Sequence, residues 1–369
     1  MKKLFLPFVL CLAIVGSQVN AQSLDETMTK LAGSAASAYV NPIVTGFGAD
    51  LNGGWFHKAP KAEMYGFDLE FGVVAMGTFP GDAAKTIPAG TTGDFRFTGG
   101  PVGTNSQAEQ IAQNINNYSL LTTSQKQAIV DQIANQDFSV GITGGTIVGS
   151  KTDTIKIVFP SQQITYNDPN FGSQNVNVPG SEVAIPDVAG LLENVSVIPL
   201  GAPQLSIGTI AGTQLTFRYL PSVQINSDLG KFSYFGFGIQ HNPGLWLANP
   251  LPVDIAVSFF TQTLKAGTIF KTTATAFGVN VSKRFGPGAL NVTPYAGFML
   301  ESSKMTFDYT AQITNSVGTT PLPIHLELEG ANKSRLTLGL SIKLLFLNIN
   351  ADYNLAKNNS ATAGLMFII

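Results

Sequence analysis

Apolar and polar residues alternate one for one along much of this chain. In RLTLGLSIKL (335–344), Leu336, Leu338, Leu340, Ile342 and Leu344 share one face of a strand, and Arg335, Thr337, Gly339, Ser341 and Lys343 share the other. Successive side chains of a strand point to opposite sides, so such a segment needs something apolar on one side and something wet on the other. TQLTFRYLPSVQIN (213–226) sets Leu215, Phe217, Tyr219, Val223 and Ile225 against Gln214, Thr216, Arg218, Ser222, Gln224 and Asn226, with Leu220 the exception. PVDIAVSFFTQT (252–263), LNVTPYAGFML (290–300), YGFDLEFGVVAMG (65–77) and LNINADYNL (347–355) repeat the alternation. About eleven segments read as strands: 44–57, 65–78, 203–210, 213–226, 229–241, 253–264, 269–284, 288–311, 322–345, 347–356 and 360–369.

Alternation fits a soluble β-sandwich as well as a barrel. Length separates them: these segments run about 10–14 residues, sandwich strands average about 5–6, and a tilted membrane-spanning strand needs about 9–11. The wet faces carry few charges and many Gly, Ser, Thr and Asn. Trp55, Tyr65, Tyr219, Trp246, Tyr353 and Phe367 fall near strand ends, where interfacial aromatic girdles belong. The expected fold is therefore all-β, a transmembrane antiparallel β-barrel, the only sheet a bilayer tolerates being a closed one. Single-chain bacterial barrels have an even number of strands, so another is expected within DFSVGITGGTIVGSKTDTIKIVF (137–159), giving about 12–14. The two longest segments, 288–311 and 322–345, are expected to pair and project beyond the membrane around QITNSVGTTP (312–321).

Two regions break the wall pattern. LDETMTKLAGSAASA (24–38) reads as a short helix with a small-residue end, and residues 22–43 are expected to form a plug entering the barrel. A large insertion at 80–200 holds a helical hairpin within 106–136, AEQIAQNINNYSLL followed by QKQAIVDQIANQ. Thr122 and Gln125 supply a T-x-x-Q capping box for its second helix. The stretch 160–200, rich in Pro, Asn and Gly, reads as a long loop.

The N-terminus explains how such a chain reaches a membrane. Lys2 and Lys3 precede an apolar run from Leu4 to Val15, and Val19-Asn20-Ala21 makes a cleavage site before Gln22. That is a secretory signal peptide over 1–21, too short in its apolar run to span a bilayer. Cys11, the single cysteine, leaves with it, so the mature domain of 44–369 and its plug fold without a disulfide. Charged residues make up 12% of the chain, against about 25% in ordinary soluble proteins. A net charge of −2 argues against nucleic acid, whose binders show a basic face. The expected location is the outer membrane of a Gram-negative bacterium, with outer-membrane lipids, periplasmic chaperones and the barrel assembly machinery as partners.

Enzyme signals are weak. His57, His241 and His325 are scattered, with no H-E-x-x-H or G-x-S-x-G motif. His241, Asp254 and Ser258 are near enough in sequence to raise a hydrolase reading, but Ser258 and Asp254 point inward in this register. His241 reads instead as an interfacial turn residue before Asn242-Pro243-Gly244. No catalytic residue, metal site or cofactor is expected.

The plan of signal peptide, N-terminal helical segment with Asn41-Pro42 and then a barrel resembles the long-chain fatty-acid transporter family. LTFRYLPSV (215–223), FGFGIQHNPGLW (235–246) and RLTLGLSIKL more closely resemble an uncharacterised barrel family of Bacteroidota-type outer membranes, over most of the chain. The transporter resemblance implies a 14-stranded barrel plugged by its N-terminal segment and passing hydrophobic solutes. The insertion at 80–200 departs from it, as does the final Ile369 where barrels usually end in an aromatic. Phe367 offers that aromatic two residues earlier on the same face.

These readings make passive passage of a hydrophobic or amphiphilic small molecule, such as a fatty acid, the leading function. A structural or surface-interaction protein using 80–200 is the alternative, and a general porin the third. Arg218, Tyr234, Phe260, Arg335 and Lys343 are the candidate lumen residues for a ligand, an unpaired cation being suited to a carboxylate. Asp68, Glu70, Asp254, Glu301 and Asp352 are the acids available to neutralise them instead. Inward glycines such as Gly236, Gly238 and Gly297 leave lumen volume for a plug or one elongated ligand.

Overall fold

The computed structural model describes residues 33–369 except 96, 98, 116–117, 169–171, 179, 186–189, 191, 194, 227–229, 249–250, 268–269 and 316–317. A helix, α1 (Gly33–Asn52), leads by an irregular stretch into the first strand, β1 (Asp68–Thr78). The insertion comes next, with short strands β2 (Thr92–Phe95), β3 (Phe138–Thr143), β4 (Ile155–Phe159), β5 (Gln162–Asp168), β6 (Gly172–Val178) and β7 (Ser181–Ile185). Between β2 and β3 lie α2 (Gln107–Ala112) and α3 (Thr123–Ala134). The chain then runs through β8 (Ile198–Ile210), β9 (Thr213–Asn226), β10 (Gly230–His241), β11 (Asp254–Ala266), β12 (Phe270–Ser282), β13 (Leu290–Asn315), β14 (Gly318–Glu329), β15 (Ser334–Leu344), β16 (Leu347–Leu355) and β17 (Ser360–Ile368).

Antiparallel pairing closes the sheet into a ring. The eleven-stranded sheet is ordered β12-β11-β10-β9-β8-β1-β17-β16-β15-β13-β14, and β12 pairs with β13, so all but β14 form a closed barrel of ten strands. Closure removes the unpaired edges that hydrocarbon would not tolerate. The outer face is apolar: Leu338 is 51% exposed and Phe298 49%, while Thr337 and Arg335 across the same strand are buried in the interior. That alternation is the register read from the sequence, and no helix is long and apolar enough to cross a membrane. The protein is a transmembrane antiparallel β-barrel.

The two rims differ. β1 begins and β17 ends at one rim, which also carries the tight turns at 211–212 and 345–346. The opposite, long-loop rim carries the insertion between β1 and β8 and the hairpin extension. β13 pairs with β15 through its first half, from Leu290 to Leu300, and with β14 through its second, from Lys304 to Asn315. The long segment expected at 322–345 is thus two strands, broken at 330–333, and the expected projecting hairpin is the β13–β14 pair.

Several expectations are corrected. Residues 44–57 are not a wall strand but the second half of α1 and the irregular stretch after it. The strands at 137–159 exist, but they join β2 and β7 in a separate sheet ordered β2-β3-β4-β7. β3 and β4, with 6 and 5 residues, are too short to span a bilayer. The supposed loop 160–200 contains β5, β6 and β7, and β5 and β6 make a hairpin of their own. These changes bring the barrel from the expected 12–14 strands down to ten. The helical hairpin stands where expected, and both halves of the Thr122–Gln125 capping box form.

The register makes one result measurable. Leu338→Arg places a cation on the lipid face near mid-strand and costs about 2–4 kcal/mol. Denaturant unfolding of the bilayer-inserted protein reads that loss. An unchanged midpoint would move this face off the lipid.

Candidate functional site

The lumen is occupied along its length by the chain's own α1 and the stretch after it. The apolar positions Val40, Val44 and Leu51 are spaced as one face of a helix. The upper half of α1 stands at the long-loop rim, where Ala35, Tyr39, Val40 and Val44 pack with Ile142, Ile147 and Ile155 of the insertion and with Met305 and Phe307 of β13. Further down, Leu51 joins an apolar cluster with Val74, Leu200, Leu220 and Leu264. Thr78 donates to Asp50 Oδ1 at 2.7 Å. Trp55 and Phe56 then fill the middle of the barrel, and Ala59 N donates to Ser282 Oγ at 2.9 Å near the short-turn rim. Asn242 Nδ2 donates to Pro60 O at 2.7 Å at that same end. The segment crosses the lumen from one rim to the other.

Inward glycines make room for it. A Cβ on Gly236 would stand 2.8 Å from Trp55 Cη2, and one on Gly297 would stand 2.5 Å from Phe56 Cζ. The volume those glycines free is taken by plug aromatics. The expected plug of 22–43 is therefore placed too early. Residues 22–32 of it lie outside the described residues, and the part that fills the barrel's middle and lower lumen is 44–60.

Three of the candidate ligand residues meet around Trp55. Arg218 is 0% exposed. Its Nε donates to Gln204 Oε1 at 2.9 Å and its Nη2 to Gly53 O at 2.9 Å. Its guanidinium lies 4.1 Å from the Trp55 ring centroid, a desolvated cation–π contact of about 2 kcal/mol. The Tyr234 hydroxyl accepts from Arg218 Nη1 at 3.4 Å and donates to Gln262 Oε1. Phe260 stacks on Trp55 with centroids 5.1 Å apart. Arg335 stands apart from this cluster, with Nη1 3.7 Å from Glu301 Oε2, both side chains buried. Lys343 is half-buried near the short-turn end of β15 and joins neither group.

Sequence reasoning misses the anchor of the plug. Lys58 Nζ contacts both Asp68 and Glu70 of β1, and His57 Nε2 lies 3.0 Å from Glu70 Oε2. The Glu70 side chain is 0% exposed, so its charge needs these partners. The signal is present in the chain: two inward acids on one strand, preceded by an adjacent His-Lys pair at the end of a segment that reads as wall. The hydrolase reading does not assemble. Ser258 Oγ donates to Asn280 Oδ1 at 2.6 Å inside the barrel, whereas His241 bonds Thr213 and Trp246 on the opposite face. Asn242 Oδ1 accepts from Gly244 N at 2.9 Å, making the turn expected there.

The wall itself is incomplete beside Arg218. β8 and β9 pair from Ile210↔Thr213 to Gln204↔Arg218 and no further toward the long-loop rim. Among the described residues, no ladder pair joins 198–203 to 219–224. Pro203 and Pro221 lack the N–H groups that such a ladder would use. Across β9, Pro221 and Ser222 together oppose Ser233, a bulge between the pairs Leu220↔Tyr234 and Val223↔Phe232. The extra residue reverses the facing of the positions beyond it. Val223, expected on the lipid side with Tyr219, packs instead against the apolar lumen cluster.

Three solved structures match the chain weakly. A bacterial polysaccharide outer membrane secretin is 8% identical, with 83% of this chain and 99% of that chain covered at a TM-score of 0.23. The Salmonella typhi OmpF complex with daunomycin is 9% identical, with 82% and 97% covered at a TM-score of 0.20. A BenF-like porin from Pseudomonas fluorescens is 11% identical, with 86% and 100% covered at a TM-score of 0.18. At these scores the fold rests on the strand pairings above. No curated protein matches the chain. Ten strands, where the fatty-acid transporter family has 14, leave that resemblance in the general plan only. Residues 1–369 match a family of unknown function (DUF6588), and the chain belongs to it.

Proposed function

We propose that the protein is an outer-membrane channel of a Gram-negative bacterium that passes a hydrophobic or amphiphilic small molecule such as a fatty acid, with the segment from α1 to Pro60 as its gate. Short turns face the periplasm in bacterial barrels and long loops face outward, so the insertion and the β13–β14 extension stand on the cell surface. The observation that carries the reading is the unpaired seam between 198–203 and 219–224. The plug blocks the axis, but the seam borders the apolar cluster of Leu51, Leu200, Leu220 and Val223. An apolar chain leaving that cluster sideways enters lipid without crossing water, which favours apolar solutes over sugars.

Arg218 stands at the foot of the seam, held by Gln204 and the Gly53 carbonyl. When the plug withdraws, Gly53 leaves and the guanidinium is free to take a carboxylate by two parallel bonds. Tyr234 and Phe260 flank that position. Arg335 already has Glu301 opposite it and is the weaker candidate. Packing of the insertion on α1 favours the second reading, a surface-interaction protein. Proteoliposome flux of a fatty acid and of a small sugar separates the readings. Fatty-acid flux without sugar flux is expected. Sugar flux would make it a general porin, and flux of neither would leave the surface-interaction reading.

A further inference from the structure

The bulge in β9 dents the outer surface as well as the lumen. Beside it lies a cleft of about 400 Å³, lined by the outward-facing Tyr219, Ser233, Phe235, Thr263, Lys265 and Lys271, with the inward-facing Leu220 and Tyr234 at its floor. Lys265 and Lys271 are direct cross-strand partners on β11 and β12, and both side chains are exposed. Two like charges facing each other across a ladder repel. Neither has an ion-pair partner among the described residues, whereas Lys304 on β13 is matched by Glu327 at 2.6 Å. The two ammonium groups therefore present an uncompensated double positive charge at the mouth of the cleft.

Position along the wall defines what would supply the anion. On β11 and β12 the outward pairs run Val257/Val279, Phe259/Phe277, Thr261/Thr275, Thr263/Thr273 and Lys265/Lys271 toward the long-loop rim. On β10 the apolar face extends further, with Phe235 opposite Thr263 and 57% exposed. The lysines thus stand one outward step beyond Phe235, about 7 Å along the strand. There the apolar face gives way to cations, the change of side-chain type expected where hydrocarbon meets phosphate-bearing headgroups. Ser233 and Thr263 add hydroxyls that donate to phosphate oxygens, and Tyr219, 61% exposed, has an aromatic body suited to the interface.

We infer that this cleft binds the phosphorylated headgroup of a lipid in the leaflet at the long-loop rim, with the acyl chains lying down the Phe235 face. The site is on the outside of the barrel and does not depend on whether the lumen conducts. Lysine ammonium groups bind phosphate as point charges, and the bulge supplies the concavity that a flat wall lacks.

The test is native mass spectrometry of the purified, folded barrel with bisphosphorylated lipid A, with the same lipid stripped of phosphate, and with inorganic phosphate. The phosphorylated lipid is expected to stay bound and the stripped lipid to be lost. Lys265→Gln with Lys271→Gln should weaken retention by about tenfold or more, two charge-assisted contacts being removed. Lys283→Gln, near the opposite rim, should leave it unchanged. Equal retention of both lipids, or an unaffected double variant that still shows heat-modifiable mobility, would overturn the site. Displacement of the lipid by inorganic phosphate at millimolar concentration would assign the cleft to free phosphate and overturn the lipid assignment.

Discussion

Deleting residues 33–58 turns a closed barrel into a conducting one. The wall is held by its own ladders from β1 round to β17, so it does not need the plug to close. Removing Leu51, Trp55, Phe56 and Lys58 empties the middle of the lumen, and Arg218 and Glu70 become hydrated instead of bonded to the plug. Eight-stranded barrels are filled by their own side chains, while those of 16–18 strands hold water channels. At ten strands, with glycine at 236, 238 and 297 facing inward, the emptied lumen is a narrow water-filled pore. Planar-bilayer recordings should show steady conductance from the deleted form and almost none from the full chain. A shorter deletion of 33–38 removes only the first turns of α1 at the long-loop rim, and conductance should stay low. If the short deletion opened the barrel as fully as the long one, the seal would lie at the rim and not at Trp55.

Lys58→Met unseats the lower end of the plug. Lys58 faces Asp68 and Glu70 together, and Glu70 is shut off from solvent. Breaking a buried ion pair by removing one partner costs about 3–5 kcal/mol, because the other charge stays buried without compensation. His57, with Nε2 3.0 Å from Glu70 Oε2, remains as a partner and offsets part of this. A loss of that size shifts the seated-to-unseated ratio by about two to four powers of ten. The measurable result is flickering conductance in bilayers from a protein whose barrel remains heat-modifiable. Adding Glu70→Gln and Asp68→Asn removes the stranded charges and should return the recordings toward the closed baseline. Identical behaviour of the single and triple variants would mean that the cluster does not hold the plug.

The wall is legible in the sequence because its pattern has one cause: lipid on one side and a polar lumen on the other force strict alternation. RLTLGLSIKL, LNVTPYAGFML and LNINADYNL face as the sequence implies. The strand β9 faces as expected up to Leu220, and the one residue that breaks the polar pattern of the inward face has a partner there: Leu220 points into the apolar cluster with Leu51, Leu200 and Leu264. α1 reads as strand past residue 43 because Val44, Thr45 and Phe47 are β-branched or aromatic residues of the kind enriched in strands. Its 3–4 spacing of Val40, Val44, Phe47 and Leu51 is the better guide. The strands of the insertion are legible as strands but not as a separate sheet. Their length is the clue, since 5 or 6 residues cannot cross a bilayer. Arg218 reads as inward from its register alone, but its partners do not, because Gly53 and Trp55 are more than 160 residues away in sequence and a through-lumen path leaves no local signature.

A redox-controlled tether tests most directly whether the segment from α1 to Pro60 gates the lumen beside the seam. A Cβ on Gly46 would lie 3.3 Å from the Ile198 Cβ at the start of β8, close to the roughly 3.5–4.5 Å spacing of a disulfide. Gly46→Cys with Ile198→Cys, in a background carrying Cys11→Ser in place of the single native cysteine, gives the chain its only thiols. Fatty-acid flux into proteoliposomes should proceed in the reduced form, stop on oxidation and return on reduction. Equal flux in the oxidised and reduced forms would contradict the gate.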